Sequence, residues 1–195
     1  MKHTKPIIFG VVGFVIFAIL FFGAIGVAIY KFNSAGRIVK GASILIPYPA
    51  ARIDGHFIRY SDFLGDFDAI QHFYNSQKDK AGMPAPDKET LKKQIIDHLI
   101  ENYFLEKLAK EKNISISKED IENEYKKVSE QNQGEENLKK MLKDYYNWTP
   151  QDFKRRVVYY SLLIDKLQEA YGDSQKLNEE IKNKKNEATI KKYID

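Results

Sequence analysis

The 195-residue chain has no cysteine. That absence excludes disulfides, thiol catalysis, cysteine-ligated zinc and a lipid-modified cysteine together, while leaving the redox compartment open. Histidine is also scarce: the four residues, at 3, 56, 72 and 98, all lie in the first half of the chain. Charge of one sign is lacking too. The formal net charge of +4 falls to +2 once Lys2 and Lys5 are set aside. Acidic and basic residues are interspersed along the rest, so there is no nucleic-acid footprint. No phosphate-binding loop, G-x-S-x-G element or Ser/His/Asp ordering is present, and the sequence implies no cofactor.

The abundant residues are apolar and charged ones, with 30% of the chain Asp, Glu, Lys or Arg. This balance suits solvent-exposed helices better than a β-sandwich. The fold class expected is mainly α: an N-terminal transmembrane helix, a short β-hairpin, then a bundle of about five to six helices.

Residues 7–30, "IIFGVVGFVIFAILFFGAIGVAIY", carry no charge. At about 1.5 Å per residue such a helix covers a hydrocarbon core of about 30 Å with some tilt. A cleaved signal would have a shorter apolar region and a clear small-x-small site. An uncleaved anchor is therefore expected, with Ile7, Phe14, Phe21 and Tyr30 marking it and residues 1–6 preceding it. Lys2 and Lys5 are balanced by Lys31, Arg37 and Lys40, so charge counting leaves the orientation tied. The glycines at 10, 13, 23 and 26 form no GxxxG pair.

Residues 31–50 mix Gly, Ser and Pro and read as a linker with little structure of its own. "ARIDGHFIRYSDF" at 51–63 then reads as strand, Asp54-Gly55 turn, strand and helix cap. Phe63, Phe67, Ile70 and Tyr74 share one face of the helix that follows. Gly82, Pro84 and Pro86 break it. Asp87 caps a helix over about 88–112, whose two adjacent apolar rows place it at the centre of the domain. Ser117 and Asp120 resemble a capping box opening a third helix, and a fourth carries Leu138, Met141, Leu142 and Tyr145. Thr149-Pro150-Gln151-Asp152 opens a fifth, with Phe153, Val157, Tyr160, Ile164, Leu167 and Tyr171 on its inward side. After Gly172, residues 172–195 read as a charged helix with a stripe broken at Lys184 and Lys185.

The hairpin of form apolar-Asp-Gly-x-x-Ile, the Ser-Asp-Phe that follows it and the helix "LKKQIIDHLIENYFLEKLAKEKNISISKEDIENEY" resemble the N-terminal domain of the SurA/PpiD/PrsA foldase family. Ala109, Lys110, Ile114, Ser117 and Glu119 carry the central pattern. "LKKMLKDYYNWTPQDFKRRVVYYSLLIDKL" is similar to the family's next signature. The resemblance covers residues 50–171 or so, with 51–171 as the helical chaperone domain. It implies an extracytoplasmic body, hence a cytoplasmic N-terminus and a single-pass cell-membrane protein of a bacterial envelope. It also implies partners: unfolded or nascent secreted polypeptides, the lipid bilayer and the secretion machinery. Family members commonly carry a parvulin prolyl-isomerase domain of about a hundred residues after this region. Only 24 residues follow Tyr171 and no histidine lies beyond 98, so no isomerase activity is expected of this chain. In larger relatives a later strand often pairs with the hairpin, and little chain is left here to supply one.

The densest aromatic cluster outside the apolar run is Tyr145, Tyr146 and Trp148, with Phe153, Tyr159 and Tyr160 following. Tyr145, Tyr146, Trp148 and Tyr159 are the candidate client contacts, because large flat side chains bind many sequences at low entropy cost. The competing account makes these residues core filler, and it weighs most for Phe153 and Tyr160. His56, Asp62, Asp66 and His72 satisfy no metal-ligand spacing and read as a solvated acidic face. The expected function is a membrane-anchored chaperone-like domain holding non-native polypeptides. A scaffold docking one envelope partner is an alternative, as is an accessory part of an isomerase whose catalytic domain is absent from this chain.

Overall fold

The structure, a computed structural model, describes residues 4–32, 36–77 and 86–194, with side chains in the first of these described for 17–31. The helix α1 runs Thr4–Phe32 and α2 runs Arg37–Leu45. The strands β1 (Pro49–Ile53) and β2 (His56–Arg59) follow. Next come α3 (Tyr60–Gln77), α4 (Lys88–Glu111), α5 (Lys118–Gln131) and α6 (Glu135–Tyr146). The helix α7 begins at Pro150–Phe153, passes through a π-helical turn at Lys154–Val158 and continues over Tyr159–Tyr171. The helix α8 (Ser174–Glu187) and the strand β3 (Ile190–Lys192) complete the chain.

Local chemistry fixes most of these boundaries. Asp54 and Gly55 both have positive φ, 48° and 96°. This is the backbone of a two-residue primed turn, whose twist matches the flanking strands. The Asp87 side chain accepts from the Thr90 amide and starts α4. Ser117 with Asp120 and Thr149 with Asp152 form reciprocal capping boxes at α5 and α7. Asn147 ends α6 in the left-handed conformation, φ 54°.

The core is built around α4, where Ile96, Ile100, Phe104 and Leu108 are at most 1% exposed. Phe63 and Phe67 stack against it from α3, and Leu163 and Leu167 from α7. A satellite cluster of Tyr125, Leu138 and Leu142 joins α5 to α6, with Phe153 and Trp148 against it.

Four expectations differ from what is observed. The segment 31–50 contains a helix, α2, because Val39, Ala42 and Ser43 fall on one side of it and bury there. The hairpin does gain a third strand: β3 pairs antiparallel with β1, giving the order β2-β1-β3. Asp54 ties that end down, its carboxylate accepting from the Thr189 amide at 2.9 Å. The segment 172–195 is docked through Leu177, Ile181 and Ile194, all buried, while Lys184 pairs with Glu111 of α4 at 3.0 Å. On α7 the inward residues are Val158, Leu163 and Leu167, whereas Val157 is exposed and Tyr160 and Ile164 are half-buried. The π turn accounts for the last difference: the Tyr159 amide bonds to the Lys154 carbonyl, and the extra residue rotates everything after it relative to an unbroken α-helical stripe.

Among the described residues no helix is long and apolar enough to cross a membrane. The expected span over 7–30 lies partly outside the described side chains, as do Ile7 and Phe14. Phe21 is exposed and stacks on Phe17. The far end of α1 belongs to the body: Ile25 and Ile29 are buried in the main core. The Tyr30 hydroxyl donates to the Pro49 carbonyl at 3.0 Å, and the Tyr48 hydroxyl donates to the Phe22 carbonyl at 2.6 Å. The break expected at 80–87 falls mostly on residues outside those described.

Candidate functional site

Between β2, α3, α4, α5 and α7 lies an open groove of about 1180 Å³. It exceeds the usual range of small-molecule pockets, roughly 300–1,000 Å³. The π turn lies on its border, contributing Lys154, Arg155, Arg156 and Val157 to the lining.

One wall is aromatic. Tyr146, the last residue of α6, stacks between Phe73 of α3 and Trp148, with ring centroids 5.2 and 5.0 Å apart. The turn at Asn147 folds Trp148 back on Tyr146, and the Trp148 amide bonds to the Leu142 carbonyl at 3.1 Å. Tyr74 meets Phe73 edge to face and also lines the groove. The strand β2 contributes Phe57, 49% exposed, and His56, stacked on Tyr103 of α4. Ile70 and Leu99 supply aliphatic surface between the walls.

The base is ionic. Three consecutive basic residues of the π turn each take an acid from elsewhere. Lys154 pairs with Glu122 of α5 at 2.5 Å and sits over the Tyr125 ring, Arg155 approaches Asp62 at 3.6 Å, and Arg156 pairs with Asp66. Gly65 gives the Arg156 guanidinium its room, since a Cβ there would overlap it. Burial pulls the Arg156 pKa down, against the field of Asp62. On α7 the Tyr160 hydroxyl donates to Glu106 at 2.7 Å. Burial and that carboxylate both push the Tyr160 phenol up, and burial does the same to Tyr159 and Tyr146. These phenols stay neutral at physiological pH and act as donors with apolar faces.

Of the residues singled out in the sequence, Tyr146, Trp148 and Tyr159 line the groove together, and Tyr145 does not. Tyr160, weighed above as core filler, lines it as well, edge to face with Tyr159. Phe153 packs on Tyr125 instead. Sequence reasoning missed Phe57 and Tyr103 in the lining, and Phe73, which backs Tyr146 without lining the groove. The stacking of His56 and Phe57 on groove and helix follows from the hairpin's docking, which no local pattern records. His56, Asp62 and Asp66 all line the groove but each has a separate partner, Asp66 being largely buried against Arg156 instead of solvated, while His72 lies outside the lining and meets the Asp144 carbonyl at 3.1 Å. Among the described residues no group of three or more acidic or histidine side chains is placed to hold a metal ion.

Such a surface offers stacking, apolar burial and paired charge. A match to the SurA-like N-terminal domain covers residues 1–168. The chain belongs to the SurA-like N-terminal domain family. The match takes in α1 and α2 as well as the hairpin and the helices through most of α7, so the groove is built almost wholly from SurA-like domain residues. Nothing matches among curated proteins, and nothing matches among solved structures.

Proposed function

We propose that this protein is a chaperone-like domain that holds non-native polypeptide segments in the groove, outside the cytoplasm, with α1 as its membrane tether. The observation that carries this reading is the stacked pair Tyr146–Trp148, backed by Phe73, lining an open groove together with half-exposed Phe57 in a SurA-like domain. Aromatic and apolar client side chains would replace water on these rings, and the charged exterior would keep the complex soluble. Binding would need no nucleotide or metal, and the chain would have no isomerase activity of its own. A tether raises the local concentration of the groove at the membrane, where secreted chains emerge.

The test is aggregation of a chemically unfolded client in the presence of the full chain held in nanodiscs. The expected result is a slower rise in light scattering with the native sequence, and loss of that protection in a Tyr146→Ala/Trp148→Ala variant whose unfolding midpoint stays near the parent's. Equal protection by both would sink the groove reading. A reporter fused after the last residue checks the orientation, and a cytoplasmic signal would overturn it. Catalysis of proline-limited refolding would overturn the non-enzymatic reading.

A further inference from the structure

The outward face of α2 has the wrong chemistry for water. Its exposed residues are Arg37, Ile38, Gly41, Ile44 and Leu45, with Ile38 at 70%, Ile44 at 76% and Leu45 at 78% exposure. The face toward the body is already satisfied: Val39, Ala42 and Ser43 are buried, and Lys40 pairs with Asp68 of α3 at 2.5 Å. A surface helix normally turns polar side chains outward, and here the outward arc is aliphatic with a single cation. The adjoining α1 exposes Phe17, Ile19, Leu20 and Phe21.

Charge over this part of the chain has one sign. Between the apolar run and Asp54, the first acidic residue of the chain, stand Lys31, Arg37, Lys40 and Arg52. Lys31 and Arg37, one at each side of the α1–α2 connection, are exposed. Aliphatic surface bordered by the exposed cations Lys31 and Arg37 complements an anionic lipid surface.

Length gives a second, independent reason. A span needs about 20 apolar residues, and counted from Ile7 that carries the hydrocarbon core to the neighbourhood of Gly26. Yet the body already grips α1 from Phe22 onward, through the Tyr48 hydroxyl on the Phe22 carbonyl and through buried Ile25 and Ile29. The last turns of the span and the first turns of the docked helix are the same residues. The body is then pressed against the bilayer, with no free linker between them, and α2, which packs on both α1 and α3, is carried to headgroup depth.

We propose that α2 is an interfacial helix, its Ile38, Ile44 and Leu45 side chains inserted at the headgroup boundary of an anionic bilayer, fixing the direction in which the groove faces. This rests on the reading of α1 as a membrane tether.

The chain has no native cysteine, so Ile44→Cys, Leu45→Cys, Phe17→Cys and Glu119→Cys each give one spin-label site in the full chain. The labelled proteins are reconstituted into vesicles of phosphatidylcholine with phosphatidylglycerol, and collision with oxygen is compared with collision with an aqueous nickel chelate. The expected result is loss of nickel contact and gain of oxygen contact at 44 and 45 relative to the exposed site 119 on α5. Two independent labels on α2 guard against a local packing defect at either one. Nickel contact at 44 and 45 equal to that at 119, with 17 still shielded, overturns the interfacial helix and leaves the tether standing. Nickel contact at 17 as well overturns the tether and the inference with it. Shielding at 44 accompanied by spin–spin broadening shows a second copy covering the face, and also overturns the inference.

Discussion

Arg156 on α7 pairs with Asp66 on α3 across the base of the groove, 90 residues apart in sequence, and each side chain is only 14% exposed. Removing one partner strands the other charge in a largely dry site, and fully buried pairs broken this way lose about 3–5 kcal/mol. Solvent still reaches this pair, so Asp66→Ala is expected to cost about 2–3 kcal/mol, read as a lower urea midpoint at neutral pH. Asp66→Leu combined with Arg156→Met is expected to lose less than the sum of the single changes. An additive result would mean that the two side chains are not coupled.

Gly65 sits inside α3, where alanine is the better helix former by about 1 kcal/mol. Its neighbour reverses that sign, because a Cβ at 65 overlaps the tip of the Arg156 side chain, which can move aside only by leaving its largely buried partner Asp66. Gly65→Ala should therefore destabilise the native chain and stabilise an Arg156→Ala background. The same sign in both backgrounds, measured by denaturant unfolding, would remove the close approach from the account.

Ile194 is 3% exposed although it is the last residue described. Truncating a buried Ile to Ala costs about 2–5 kcal/mol where the surroundings cannot collapse. Ile194→Ala is expected near the lower end, about 2 kcal/mol, since Ile194 stands outside any helix or strand, where the backbone can adjust. A shift within the error of a denaturation curve would show that β3 and its flank contribute nothing to the fold.

Acid should weaken the helix starts. The carboxylates of Asp87, Asp120 and Asp173 lie below the ordinary 3.8, held there mainly by the Thr90 hydroxyl, the Ser117 amide and the Lys176 amide in turn. A depressed folded pKa contributes stability that is complete above the unfolded value and is lost as pH falls through the folded one. The thermal midpoint is therefore expected to drop below about pH 4. A variant with Asn at all three positions keeps good caps without titrating groups, and its midpoint should fall less steeply over the same range.

What could be read from the sequence was whatever one or two neighbouring residues decide. Asp54-Gly55 turned the hairpin, and Asp87, Ser117 and Thr149 opened helices at the residues where they stand. What stayed hidden depends on distant partners. The helix α2 is short and contains Gly41 and Ser43, and only burial against α1 and α3 makes it a helix. The strand β3 is three residues with two lysines, a strand because β1 offers it an edge. The π turn changes no composition, yet it moved the inward stripe of α7 from Val157 and Tyr160 to Val158 and Leu163. Tyr146, Trp148 and Tyr159 could be named as candidates because aromatics are dense there. Phe57 and Tyr103 come to the groove from two separate elements, Phe73 backs Tyr146 from a third, and their arrangement is a product of the tertiary fold.

The strand β1 joins chain segments made at very different times. Its pairing with β2 needs only the two-residue turn, so that half of the sheet closes as soon as about ten residues are free, on the microsecond scale of a hairpin. Its other edge has to wait for Ile190–Lys192, the last structured part of the chain. During synthesis at about 5–20 residues per second, that edge, with Ala51 and Ile53 beside it, stands open for seconds. The domain is thus itself a polypeptide with an unpaired strand for that time, and β3 is what withdraws the offer.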